Sequence, residues 1–162
     1  MASVLGVELE TGLTFGYDKY NWQETTHFIT EECDGAIDFG QEKNNIYALQ
    51  GASVLKVSQS SVQLAANEFG AGRAVYISGL PYSPINARLL HRAVMWCSHG
   101  EKKLREWFSS NCNVDVHAYE NGSWCAVNNS SEPQVTTAYT KNGDSQVLSL
   151  DANEIRWFLD KE

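Results

Sequence analysis

Basic residues are in short supply: 12 Lys and Arg stand against 20 Asp and Glu, giving a formal net charge of −8 and a pI near 4.9. Nucleic acids and anionic membranes call for a basic footprint, so the charge argues against both as partners. There is no run of about 18 apolar residues, so nothing in the sequence spans a bilayer as a helix. The first residues, MASVLGVELE, lack a basic n-region and an apolar h-region, so no secretory leader is read and the expected location is the cytoplasm. Cysteines number four (Cys33, Cys97, Cys112 and Cys125) and form no C-x-x-C pair. The nearest approach to a metal set is Cys97-Ser98-His99 with Cys112 and His117, looser than zinc ligand pairs, so reduced thiols and no metal are expected.

What is present is the composition of a globular protein: 43% hydrophobic and 20% charged residues over 162 positions. A chain of this size buries roughly 70% of its unfolded surface, enough for one core or two small ones. The texture changes near residues 109–113. Before it, 36–39, 45–49 and 52–58 read as short extended segments, the last two separated by Gly51. Residues 61–69 and 73–78 read as a hairpin across Gly70-Ala71-Gly72, and the second strand is nearly all apolar, as a strand buried on both faces would be. Ser83 as N-cap and Pro84 at the first position start a helix carrying Leu89, Leu90, Ala93, Val94, Trp96 and Cys97 at helical spacing. A second short helix is expected over 101–108, with Leu104, Trp107 and Phe108 on one side.

The last third reads as five strands. Residues 114–119 and 123–127 meet across Asn121-Gly122, and 135–140 and 145–150 across Asn142-Gly143, Asn-Gly being a strong hairpin signal. Residues 154–159 close the chain, with Ile155, Trp157 and Leu159 facing one way. The expected fold is α+β: the end of an α/β domain over 1–110, then a small antiparallel β-sheet or sandwich domain over 111–162.

The residues alone supply no convergent chemistry. Gly70-Ala71-Gly72 precedes a strand instead of opening a helix, so it reads as a turn and not a phosphate loop. Ser78 lacks the flanking glycines of a nucleophile elbow, because Tyr76 stands where the first would be. Glu31, Glu32 and Asp34, like Glu8 and Glu10, read as solvated acidic loops. Three N-x-S triplets, at Asn121, Asn128 and Asn129, matter only in a secreted protein. No catalytic, cofactor-binding or metal-binding residue is assigned. Two other readings stay open. Tyr119, Trp124, Tyr139 and Trp157 could stack on sugar faces if an exposed, coplanar pair forms, and Ser78 or a cysteine could serve an independent enzyme.

Three stretches carry a resemblance. They are Thr14-Phe15-Gly16-Tyr17-Asp18-Lys19-Tyr20-Asn21-Trp22, the run from Asn67-Glu68-Phe69-Gly70 through Tyr76-Ile77-Ser78-Gly79-Leu80-Pro81-Tyr82-Ser83-Pro84, and Trp107-Phe108-Ser109-Ser110-Asn111 followed by Val127-Asn128-Asn129 and Glu132-Pro133. In this order they resemble the C-terminal portion of the lacto-N-biose phosphorylases, also called 1,3-β-galactosyl-N-acetylhexosamine phosphorylases. The resemblance implies a much longer parent with an N-terminal catalytic barrel, a glutamine amidotransferase-like middle domain and a small C-terminal β-domain. It implies that the parent splits galactosyl-β-1,3-N-acetylhexosamine with phosphate, inverting to galactose 1-phosphate, one carboxylic acid protonating the leaving oxygen. The resemblance implies that the family's catalytic acid falls in the barrel, outside the resembling stretches, so no catalytic position carries over. The expected role is structural: supporting the barrel and contributing to homodimer contacts. Apolar residues left exposed by the missing partner would be its signature, with Tyr20, Trp22, Tyr82 and Trp157 as candidates.

Overall fold

The computed structural model describes residues 1–12, 23–33, 35–41 and 45–159. The aromatic segment 14–22, with Tyr20 and Trp22, and Asp34 lie outside the described residues. The chain forms two compact units, Met1–His99 and Gly100–Glu162. Both are β-rich and built from small antiparallel sheets, with a single long helix in the first.

In the first unit a short helix α1 (Ala2–Leu5) leads into β1 (Val7–Leu9), which pairs with β2 (Ile46–Ala48). A three-stranded sheet follows in the order β3 (Ser53–Ser58), β4 (Ser61–Phe69), β5 (Gly72–Ile77). This sheet is a middle layer with a core on each face. On one side Leu55, Leu64 and Ala66 pack with Ile29 and with Leu89, Ala93 and Trp96 of helix α2 (Pro84–Cys97). On the other, Val54, Val62 and Ala65 pack with Val7, Leu5 and Ile46. Leu55, Leu64 and Leu89 are fully buried, each contributing about 1.5–3 kcal/mol through removal from water.

The hairpin between β4 and β5 forms, but its connection is two residues and not three: Gly72 pairs opposite Phe69 and belongs to the strand. Gly70 holds φ 61°, a left-handed value that glycine tolerates at the first central position. One expectation reverses. The central strand, buried along Ser61 to Asn67, is β4, whereas the apolar β5 is an edge strand and only half-buried. The sheet stops beside β5 among the described residues, so neither of its faces is fully covered.

Helix α2 begins where the sequence places it. Ser83 is extended, its hydroxyl accepts from the Asn86 N–H at 3.1 Å, and Pro84 fills the first turn. The helix ends at Cys97, three residues before Gly100. The second helix is not found. Glu101–Arg105 is a 3-10 turn burying Leu104, Trp107 takes φ 55°, and Phe108 opens a strand. Pairing with a later strand, and stacking of Phe108 on Tyr139 at 6.3 Å, outweigh the helical preference of that stretch. Residues 36–39 form no strand either, although Ile37 and Phe39 pack against the first core. Strand β1 has no counterpart in the sequence reading.

The second unit is a sandwich of two three-stranded sheets. One has the order β10 (Ser145–Leu150), β9 (Gln134–Tyr139), β6 (Phe108–Ser109); the other has β11 (Ile155–Phe158), β8 (Trp124–Asn128), β7 (Val114–Ala118). Val114, Trp124 and Ala126 from one sheet meet Ala138, Leu148 and Leu150 from the other. Both Asn-Gly hairpins form. At the first, the Asn121 carboxamide oxygen accepts from the Ser123 N–H and hydroxyl, and at the second Asn142 adopts φ 64°.

Candidate functional site

Buried polar side chains are the first place to seek chemistry, and in this chain they serve the backbone. Asn67 donates to the carbonyls of Ser3 and Val4 at 3.0 and 2.9 Å, fastening α1 to β4. Asn86 donates to the carbonyls of Asp38 and Pro81, both at 2.7 Å. Asn111 donates to Gln134 Oε1 and the Val135 carbonyl and accepts from the Asn113 N–H. Asn128, 1% exposed, donates to the carbonyls of Glu132 and Asp151 at 2.8 Å and accepts from the Ser130 N–H. Ser109 and Thr136 share a buried hydroxyl contact at 2.8 Å, and Ser110 exchanges bonds with the Thr137 backbone.

The Ser78 hydroxyl donates to the side-chain carbonyl of Gln63, an amide that cannot take a proton at neutral pH. Cys97 lies half-buried in a groove between α2 and β5, and burial pushes its thiol up despite the nearby Arg73 guanidinium. Cys125 is buried beneath Tyr119, whose hydroxyl stands 3.9 Å from its sulfur; that contact raises the Tyr119 phenol above its usual value. Cys33 and Cys112 are half-buried, and none of the four cysteines is in a disulfide. Among the described residues no group of three His, Cys, Asp or Glu is gathered closely enough to hold a metal ion.

The acidic loop departs from the solvated face expected of it. Arg92, 3% exposed, donates to the Phe28 carbonyl at 2.6 Å, lies over the Phe28 ring at 4.1 Å and pairs with Glu31 and Glu32 at 3.0 and 3.3 Å. Arg88 reaches Glu32 at 4.0 Å. Two of the three acids therefore belong to a clamp that ties the loop to α2. Nearby, Glu24 pairs with Lys56 at 2.6 Å and accepts from the Val57 N–H. Burial would raise the Glu24 carboxyl, but the Lys56 and Val57 hydrogen bonds and the Lys56 charge together hold it below its ordinary value.

Two apolar surfaces remain open. In the first unit a groove of about 470 Å³ is lined by Val75 and Ile77 of β5 and by Leu90, Ala93, Val94 and Cys97 of α2, with Leu90 47% and Val94 55% exposed. In the second, Tyr119 and Trp157 are exposed and stacked, with centroids 5.3 Å apart and planes at 30°. Ile155 and Leu159 flank them on the strand face turned from the sandwich core. The other two aromatics of that set are not on this surface: Trp124 is buried and stacked on Phe158 at 3.9 Å, and Tyr139 packs against Phe108. Tyr82 is almost fully exposed.

These features define a class of β-rich chain: two packed units, backbone-fastening polar residues and open apolar faces, with no helix long and apolar enough to cross a membrane among the described residues. Residues 1–102 match the lacto-N-biose phosphorylase central domain and residues 107–158 the lacto-N-biose phosphorylase C-terminal domain. The chain belongs to the lacto-N-biose phosphorylase family. It is 52% identical over 160 residues to a 1,3-beta-galactosyl-N-acetylhexosamine phosphorylase of Lachnoclostridium phytofermentans, and 48% identical over 159 residues to a second from the same organism. Each alignment covers 98% of this chain and 22% of the relative. The enzyme of the same name from Bifidobacterium longum subsp. longum is 43% identical, over 97% of this chain and 25% of its own length. The chain thus spans about a quarter or less of the relatives it matches.

Proposed function

We propose that this chain is the non-catalytic C-terminal part of an inverting phosphorylase that converts galactosyl-β-1,3-N-acetylhexosamine and phosphate to galactose 1-phosphate and free N-acetylhexosamine. Its role in that reading is structural: it supports the catalytic barrel and contributes to dimer contacts. The first domain, 1–110, is read as the end of an amidotransferase-like fold and the second, 111–162, as a small antiparallel β-domain. That none of the four cysteines is in a disulfide supports a cytoplasmic protein.

The observation that carries the reading is the use made of the family's own motif residues. Asn67, Ser78, Ser83, Ser109, Ser110, Asn111 and Asn128 all turn their polar atoms to this chain's own backbone or to a neighbouring amide or hydroxyl. Inverting phosphorolysis needs a carboxylic acid, raised in pKa, over a bound sugar. Glu24 and Glu154 are instead shifted downward and sit in ion pairs. Purified chain incubated with galactosyl-β-1,3-N-acetylglucosamine and phosphate is expected to release no galactose 1-phosphate. Its appearance above a no-protein control would overturn the assignment.

A second reading, a carbohydrate-binding accessory module, is favoured by one observation: the exposed Tyr119–Trp157 pair. Aromatic faces stack on the apolar faces of sugars, and the outer face of a stacked pair is open to do so. Calorimetric titration with galactosides tests it. Saturable heat abolished by Trp157→Ala would establish this reading, and a flat trace at millimolar sugar would remove it.

A further inference from the structure

We propose that β5 and the adjoining groove on α2 are a docking seam for the part of the phosphorylase chain that lies outside the matched segment, and that this part adds a β-strand along β5 and covers Leu90 and Val94. The inference rests on the proposed function above and identifies the surface through which that support is given.

Strand β5 has the sequence of an interior strand in the position of an edge. Val75 and Ile77 pack toward the α2 core and Tyr76 toward the core on the opposite face, so both faces are apolar. The Ser78 N–H donates to the Gln63 carbonyl at 2.9 Å, and the two-residue alternation of an antiparallel ladder then turns the N–H groups of Val75 and Ile77 away from β4. Among the described residues no strand meets that side.

The opposite edge of the same sheet shows what protection looks like. Strand β3 carries register irregularities between Val54 and Val57, its Lys56 is paired with Glu24, and the backbone of Thr25 donates to the Val54 carbonyl at 3.0 Å. Bulges, charges and a covering segment are the devices by which sheet edges are blunted. Among the described residues strand β5 shows no register irregularity and no covering strand. Its one charged residue, Arg73, is turned to the helix, donating to the Trp96 carbonyl at 3.0 Å and lying over the Trp96 ring. Beside this open ladder the groove walls are almost entirely apolar.

The occupant follows from length and charge. Relatives that match 98% of this chain give only 22% of their own length to it, so in them a large remainder belongs to the same polypeptide at high effective concentration. A second copy of this chain would bring one net charge of −8 against another.

The test replaces the matched segment of the 52%-identical Lachnoclostridium phytofermentans phosphorylase with this chain, and follows hydrogen exchange of β5 in the chimera and in the 162-residue chain alone. The Val75 and Ile77 amides are expected to exchange at least about 100-fold more slowly in the chimera. Val94→Glu, at an exposed site, should leave the melting temperature of the 162-residue chain within about 2 °C and abolish that protection or the soluble chimera. Equal exchange in both proteins, or a chimera that never accumulates in soluble form, overturns the seam. So does a dimer of the chain alone whose β5 is protected and which Val94→Glu dissociates, because the occupant is then a second copy. Galactose 1-phosphate release by a chimera with unprotected β5 removes the seam and keeps the proposed function. Protected β5 in a chimera that releases none keeps the seam and removes the proposed function.

Discussion

At the scale of single residues the main finding is where polar atoms go. Asn128 shows the pattern: one buried carboxamide holds the carbonyls of Glu132 and Asp151 and the N–H of Ser130, joining three backbone positions. A sequence reader meets such an asparagine as a possible ligand contact or glycosylation triplet, because local spacing does not reveal which distant carbonyls it will reach. Glu24 has a measurable consequence. Its folded pKa lies below the ordinary 4.5, so the pairing with Lys56 and Val57 stabilises the fold above that value and is lost as pH falls through the folded pKa. Glu24→Gln is therefore expected to lower the melting temperature at pH 7, and the gap to the parent to narrow as pH falls below 4.5. A gap between the two thermal curves that stays constant with pH would show that the carboxylate charge does not matter.

At the scale of elements, the parts governed by local rules were legible and those governed by distant partners were not. Helix α2 was readable because its start is written in adjacent residues, Ser83 and Pro84, and both Asn-Gly hairpins were readable for the same reason. The expected helix over 101–108 failed because Phe108 and Ser109 pair with Tyr139 and Ala138, some thirty residues on. Strand β1 was missed because three residues carry too little pattern, and its pairing with β2 bridges nearly forty positions. Of the surface candidates, Tyr82 and Trp157 are exposed as expected, whereas the groove residues Leu90 and Val94 read simply as part of a helix face. Two substitutions test the local account. Ser83→Ala removes the hydroxyl that accepts from Asn86 and should cost about 1 kcal/mol in a urea unfolding series. Gly79→Ala should cost more than the cap, because a Cβ there would overlap the Phe39 carbonyl oxygen and the backbone of one segment must move. Equal midpoints for the two variants would contradict that close approach.

At the scale of the whole molecule, a net charge of −8 and an open strand edge act against each other. Like charge opposes association at neutral pH, and the β5 edge, which no strand meets among the described residues, favours it together with its apolar groove once that repulsion falls. Light scattering from the purified chain is expected to rise as pH approaches 4.9, and the Val94→Glu variant to scatter less at the same pH. Identical scattering from the two proteins across the pH range would show that self-association uses another surface.

The half-buried Cys97 lines the α2–β5 groove, its thiol sluggish because burial disfavours the thiolate. Small neutral alkylators can still find it when the cleft is vacant, and a bulky maleimide should be shut out as soon as anything settles there. The protein thus carries its own occupancy gauge, readable by mass spectrometry without an engineered label.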